Sequence, residues 1–180
     1  MADIGELLEI VDASPEAVMD YFDDRGWGDG LPLVPPTVER VEAMLAVCGG
    51  ADPDEVLSVL PPRFGECTRR MVAINAVLAG CRPDVMPVLV TAARALGHPE
   101  LNLRGVNATT HPVAPLLIVH GDIATSAGYN SGLGAFGPGN RANATYGNAG
   151  LSSLGMALIG DVYLSPGCEV LGPTSARCRT

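Results

Sequence analysis

Residues 66 to 97 read ECTRRMVAINAVLAGCRPDVMPVLVTAARALG and contain two helical patterns in succession. In the first pattern the apolar residues recur at helical spacing up to Gly80: Met71, Ile74, Val77 and Leu78. Pro83 opens the second pattern, which ends before Gly97 and carries Val85, Leu89, Ala92 and Leu96. The sequence therefore predicts a helical hairpin. Its tight turn, residues 80–83, places Cys81 between the end of one helix and the start of the next.

Two helices, an extended arm and a strand are predicted before this hairpin. Ser14-Pro15-Glu16 is a helix start, and that helix ends by Gly26. Thr37 can cap a second helix, which Gly49 terminates. The segment GWGDGLPLVPPT, residues 26–37, is too rich in Gly and Pro to be regular and is a candidate arm or lid. The apolar run VLSVLPP, residues 56–62, predicts a strand ended by its prolines.

The second half of the chain predicts a small sheet, another helix and an irregular tail. LNLRGVNATTHP, residues 101–112, is polar with a β-leaning centre, and APLLIVHG, residues 114–121, predicts a buried strand. A closely packed helix follows Asn143, and the tail 165–180 has no periodicity. We expect a mixed α/β fold in one compact domain, 1–180. It consists of an N-terminal helix and arm (1–37), a core (38–164) and an irregular tail (165–180).

Composition excludes several classes of function. The 180 residues are 47% hydrophobic, enough for one sizeable core, and the net charge of -9 argues against nucleic-acid binding. Every basic residue is an arginine, which excludes Schiff-base, Walker A and kinase-type lysine chemistry.

Location and redox state follow from the N-terminus and the cysteines. Acidic residues follow Met1 where a secretory signal would be basic, and no apolar run is long enough to span a membrane. The five cysteines are odd in number and form no CxxC. We expect a soluble, cytoplasmic protein with free thiols, no membrane partner and no disulfide framework.

The glycine-rich stretch GLGAFG, residues 132–137, matches the dinucleotide-binding pattern G-x-G-x-x-G. That motif needs a strand directly before it and a helix opening at its last glycine, and neither is expected here. The neighbouring GPGNRAN, residues 137–143, is a better candidate. Asn140 can cap a helix whose first N–H groups, with Arg141, would bind a carboxylate or phosphate. Alternatively, Asn140 only caps and Arg141 only pairs with a surface acid.

A second polar cluster, NATTHP, spans residues 107–112 and precedes the predicted strand. His111 would act as a general acid/base or a metal ligand, with Thr109 or Thr110 orienting the substrate. The alternative is a histidine satisfied by nearby carbonyls. His98 and His120 are expected to be structural. No common zinc spacing is present, so we expect no metal, and the sequence defines no cofactor.

Two cysteines are candidate nucleophiles or redox thiols. Cys67 is expected in the first turn of a helix near Arg69 and Arg70, an environment that lowers a thiol pKa. The sign of the shift at Cys81 is not readable from the sequence. The alternative is that both are buried apolar residues.

Four segments carry a family resemblance: residues 28–45, 73–88, 102–121 and 130–150. They resemble bacterial proteins associated with the UGSC-motif (seleno)protein family, which has suspected thiol or selenol chemistry. The resemblance spans roughly residues 28–160 and marks nine positions: Cys81, Asn107, Thr109, Thr110, His111, Asn130, Asn140, Arg141 and Asn143. The chain contains no UGSC, only SPGC at 165–168, and similar proteins continue further. The resemblance therefore implies that a reactive thiol comes from another chain.

These features predict an enzyme, or its substrate-binding subunit, in small-molecule metabolism. It would act on an anionic molecule held by Asn107, Thr109, Asn130, Asn140, Arg141 and Asn143, with His111, Cys81 and Thr110 as candidate catalytic residues. Lyase, hydrolase and thiol-dependent transfer chemistry all fit. The alternative is a non-catalytic subunit that completes the active site of a second protein, in a homo- or hetero-oligomer. Nicotinamide or flavin binding is a third hypothesis.

Overall fold

The protein has a mixed α/β fold, as the sequence predicted. The structure, a computed structural model, describes residues 14–25, 32–61, 64–107, 116–135, 139–147, 168–171 and 175–178. The chain forms two compact units with a boundary between Leu33 and Val34. The helices are α1 (Pro15–Asp23), α2 (Val38–Ala46), α3 (Arg69–Leu78), α4 (Met86–Leu96), α5 (Leu103–Asn107), α6 (Asp122–Ser126) and α7 (Arg141–Gly147). The strands are β1 (Val56–Leu60), β2 (Gly65–Thr68), β3 (Cys168–Leu171) and β4 (Ser175–Cys178).

The first unit contains α1, which begins where the sequence predicted. The Ser14 hydroxyl accepts a hydrogen bond from the Ala17 N–H at 3.4 Å, and Pro15 occupies the first helical position. Val18 and Phe22 lie four residues apart on one face and are buried.

The second unit is built around the predicted helical hairpin. A short 3-10 turn, Pro83–Val85, leads into α4, which ends before Gly97. The core combines residues of α2, β1, α3 and α4, and its largest fully buried side chains are Met44, Leu60, Val72, Val85, Met86 and Leu89. Burying each side chain contributes roughly 1.5–3 kcal/mol.

The segment from Glu66 to Thr68 is a strand, so the prediction of a helix starting at Glu66 was wrong. β2 pairs antiparallel with β1, with Ser58 opposite Cys67 and Leu60 opposite Gly65. The helix starts later because the Thr68 hydroxyl accepts from the Met71 N–H at 3.3 Å and so caps α3. Cross-strand pairing with β1 outweighs the helical periodicity of the residues before this cap.

Two further predictions of local structure were wrong between residues 101 and 120. Residues 103–107 form α5 and are not β-leaning, and residues 116–120 form no strand. Leu116 and Ile118 are each 66% exposed. Among the described residues no strand lies beside 116–120, because β1 pairs only with β2 and β3 only with β4. A run without a neighbouring strand has no ladder to stabilise it.

The tail contains regular structure, which corrects the prediction of an irregular 165–180. β3 and β4 pair antiparallel, with Cys168 opposite Cys178 and Leu171 opposite Ser175. Gly172-Pro173 between the two strands is a turn signal in the sequence. The helix predicted after Asn143 is α7 up to Gly147, and its continuation lies outside the described residues.

Candidate functional site

The turn of the helical hairpin forms one side of the candidate site. α3 ends in a Schellman motif, in which the Gly80 N–H donates to Val77 O and the Cys81 N–H to Ala76 O, each at 2.8 Å. Gly80 adopts a φ of +76°, which a residue with a side chain rarely adopts. This conformation leaves the Gly80 carbonyl oxygen available at the C-terminal end of α3.

Arg141, the first residue of α7, binds that carbonyl. Its Nε and Nη2 donate to Gly80 O at 3.1 and 2.8 Å. A guanidinium at a helix C-terminus is favourable because the carbonyl end of the helix carries partial negative charge. The two bonds join α7 to the hairpin turn across 61 residues of sequence.

Cys81 lies beside this contact and is buried. The residue is 8% exposed, and its thiol donates to Thr145 O at 3.5 Å. Burial raises the pKa of the Cys81 thiol to about 11, although the positive charge of Arg141 opposes the shift. At neutral pH Cys81 is therefore a neutral thiol.

Tyr129 and Asp84 complete this side of the site. Tyr129 packs against the core, and burial raises the pKa of its phenol to about 12, with further contributions from Cys81 and Asp84. One oxygen of Asp84 pairs with Arg82 at 2.6 Å. The other is buried and lacks a hydrogen-bond partner among the described residues.

Asn143 organises the loop on the other side. Its side-chain oxygen accepts from the Asn130 N–H at 2.9 Å, while its Nδ2 donates to the carbonyls of Asn130 and Ala135 at 2.9 and 3.0 Å. One amide side chain thus replaces the backbone partners that this loop lacks.

The side chains of Asn140 and Asn130 are also hydrogen-bonded within this region. Asn140 caps α7 as predicted, since its Oδ1 accepts from the Asn143 N–H at 3.0 Å, and its Nδ2 donates to Gly128 O. The Asn130 side chain accepts from the Gly132 N–H and donates to Leu133 O. These three asparagines, which were predicted to bind substrate, hold residues 128–135 against the start of α7.

The structure brings five of the predicted site residues together in one region. Cys81, Asn130, Asn140, Arg141 and Asn143 lie in this one region. Thr109, Thr110 and His111 lie outside the described residues, and so do residues 26–31 of the candidate lid. Asn107 is the last residue of α5. The described part of the arm, 32–37, is irregular as expected, and the Val34 N–H donates to Leu78 O at 3.0 Å.

The dinucleotide pattern fails in the structure. No strand precedes Gly132, because α6 and a turn occupy residues 122–128. The described helix that follows opens at Arg141, beyond the last glycine of the pattern. Both requirements of the motif are therefore missing.

Cys67 is not the activated thiol that the sequence suggested. It lies in β2 with 0% exposure, and burial raises the pKa of its thiol to about 11. The expectation of a lowered pKa was wrong because it assumed a helix start at this position.

Sequence reasoning missed the Gly80 carbonyl, Thr145 and Tyr129 as members of this region. A main-chain carbonyl has no sequence signature, and the sequence identified Gly80 only as the residue that ends a helix.

The described residues contain no cluster of metal-ligating side chains and no helix long and apolar enough to span a membrane. Comparisons with protein-family models, with curated protein sequences and with solved structures find no match to this chain.

Proposed function

We propose that this chain is the substrate-binding subunit of an enzyme that acts on a small carboxylate- or phosphate-bearing molecule. The observation that carries the proposal is the state of Arg141. The residue is exposed, its side chain is fixed on Gly80 O, and none of the described carboxylates pairs with it.

This arrangement suits an anion for two reasons. A guanidinium has five N–H donors, and the contact with Gly80 engages only the Nε and Nη2 side of Arg141. The outer Nη1 and Nη2 edge can bind two oxygens of a carboxylate or phosphate. Because the side chain is already ordered, anion binding incurs little further loss of rotamer entropy.

A second chain would supply the reactive group in this proposal. Cys67 and Cys81 are buried with raised thiol pKa values, so neither offers a thiolate at neutral pH. The resemblance to UGSC-associated proteins supports a partner that carries the thiol or selenol, and His111 is the proposed acid/base. Free thiols at Cys48, Cys67 and Cys81 fit a cytoplasmic location.

Calorimetric titration of the full chain with inorganic phosphate and with succinate tests the proposal. We expect Arg141→Gln to weaken binding at least about tenfold, since a charge-assisted hydrogen bond contributes about 1.5–3 kcal/mol. Arg141→Lys keeps the charge but cannot bind two oxygens at once, so its affinity for the anion should lie between those of the parent and Arg141→Gln. Arg104→Gln removes another exposed arginine and should leave binding unchanged. Equal affinity of Arg141→Gln and the parent would contradict the proposal.

A second candidate function is a non-catalytic partner subunit. The observation that favours it is the consecutive exposed apolar run Leu116, Leu117 and Ile118, exposed by 66%, 37% and 66%. Exposed apolar runs mark protein-binding surfaces more often than isolated residues do. This candidate predicts no turnover by the chain alone and loss of complex formation in Leu116→Ser/Ile118→Ser. Turnover by an isolated monomer would exclude it.

A further inference from the structure

The hairpin of β3 and β4 carries two cysteines in register. The strands pair antiparallel, and Cys168 is directly opposite Cys178. Residues 172–174 connect the strands at one end of the ladder, and the two cysteines form the pair at the other end. This pair shares no residue with the region around Arg141.

The separation of directly opposed residues suits a disulfide. In an antiparallel ladder the Cα atoms of such a pair lie about 4.5 or 5.5 Å apart, depending on the hydrogen-bonding pattern at that pair. Disulfides join residues whose Cα atoms are about 4.4–6.8 Å apart. Either kind of pair therefore allows a bond between Cys168 and Cys178 without a change of register.

A second pair of the ladder favours the same register. Glu169 and Arg177 are also directly opposite each other, and opposite charges at such positions stabilise the pairing of two strands. Successive residues of a strand belong to opposite faces, so the charged pair and the cysteine pair lie on different faces of the hairpin. A slip by one residue would place the two cysteines on different faces.

The register determines what the two thiols do on oxidation. A cysteine without a neighbouring thiol stops at a mixed disulfide with a small reagent. A second thiol on the same chain, directly opposite the first, is present at an effective concentration of roughly millimolar or higher. It can therefore displace the reagent and close a disulfide within the chain.

We propose that Cys168 and Cys178 form a reversible disulfide across the β3–β4 hairpin, with a low-molecular-weight disulfide as the oxidant. The thiolate of one cysteine attacks a sulfur of the reagent, so a mixed disulfide forms and the reagent's S–S bond breaks. The thiolate of the other cysteine then attacks the cysteine sulfur of the mixed disulfide and releases the second half of the reagent. The two cysteines lose two protons and two electrons, and the reagent takes up both and leaves as two thiols.

Equilibration of the full chain with reduced and oxidised glutathione tests the proposal. Alkylation stops the exchange, and trypsin cleavage after Arg177 separates the two cysteines, so mass spectrometry detects their bond as a cross-link between peptides. We expect the bond between Cys168 and Cys178 to be the main disulfide within the chain and to be reversed by dithiothreitol. Mixed disulfides at both positions without a cross-link, or a cross-link from either position to Cys48, would overturn the proposal.

Two matched variants separate the register from closeness along the chain. Arg177→Cys/Cys178→Ser moves the second thiol by one residue, to the other face of the hairpin. Arg177→Ser removes the same charge but keeps Cys168 opposite Cys178. Alkylated thiols are counted on the intact chain, because a disulfide protects two of them. At one glutathione ratio, we expect the equilibrium constant for the disulfide to be at least about tenfold higher in Arg177→Ser, since only this variant keeps the disulfide geometry.

A flexible chain would give the opposite result, because the two thiols are separated by nearly the same length of chain in both variants. Equal disulfide formation in the two variants would therefore overturn the proposal. Cys168→Ser is the control for the reagent. It should leave Cys178 with a mixed disulfide only, and a cross-link from Cys178 to another cysteine in this variant would also contradict the assigned pairing.

Discussion

The Arg141 guanidinium donates two hydrogen bonds, at 3.1 and 2.8 Å, to the carbonyl oxygen of Gly80. This contact links the start of α7 to the turn of the helical hairpin and places the positive charge at the C-terminal end of α3. The same side chain is the proposed anion-binding group. Its contribution to stability is therefore measured by unfolding, separately from its contribution to anion binding.

Arg141→Gln is expected to lower the free energy of unfolding by about 1–2 kcal/mol, because it removes two charge-assisted bonds and the interaction with the helix end. Arg141→Lys should recover part of this loss. Urea unfolding of both variants, with Arg104→Gln as the exposed control, checks the prediction. Equal stability of Arg141→Gln and the control would show that solvent replaces the contact fully.

Asn143→Ala is expected to release the loop 130–135 and to cost about 2 kcal/mol, since three side-chain hydrogen bonds to the backbone are lost. Hydrogen exchange should show lost protection at the Asn130 amide. Asn143→Asp is the matched control. It keeps the acceptor for that amide and removes the donor to two carbonyls, so protection should fall less than in Asn143→Ala. Unchanged exchange in Asn143→Ala would contradict the role assigned to this side chain.

Gly97→Ala is expected to destabilise the protein by about 1–3 kcal/mol through a steric contact alone. A Cβ on Gly97 would lie 2.5 Å from the Cβ of Ser58 in β1. Gly97 has a φ of -80°, which alanine adopts without strain, so the backbone gives no reason for the loss. Combination with Ser58→Gly should restore part of the stability in a double-mutant cycle. A more stable Gly97→Ala single variant would contradict the close packing.

The parts of the fold that were predictable are those fixed by local rules. The caps at Ser14 and Asn140, the terminator Gly80 and the apolar periodicity of α3 and α4 each depend on residues within a few positions of one another. The strand β1 was also recognisable, from its short apolar run and the prolines that follow it.

The parts that were mispredicted depend on distant partners. Cys67 lies in a strand because β1 pairs with it. Leu116 lies in no strand because no described strand is next to it. The partner of Arg141 is a main-chain oxygen 61 residues away, which no side-chain pattern encodes. The asparagines near Arg141 were recognisable in the sequence. Their side-chain hydrogen bonds to the neighbouring backbone were not.

The two buried thiols predict a loss of stability in alkali. Burial raises the pKa of both Cys67 and Cys81 from 9.0 in the unfolded chain to about 11 in the folded protein. The folded state therefore holds protons that the unfolded state has released between these values, and the free energy of unfolding falls as pH rises from about 9 to 11. Each thiol contributes roughly 2–3 kcal/mol to this fall.

Urea unfolding at pH values from about 8 to 10 measures the slope of the free energy of unfolding against pH. This range lies below the pKa of the Tyr129 phenol, which burial raises to about 12. Cys67→Ala/Cys81→Ala should lose stability at pH 8 through lost packing but should show a flatter pH dependence. Cys48→Ala leaves both buried thiols in place and should retain the parent slope. A slope that survives unchanged in the double variant would assign the alkaline loss to other groups. It would also require these two thiols to ionise near their ordinary pKa in the folded protein.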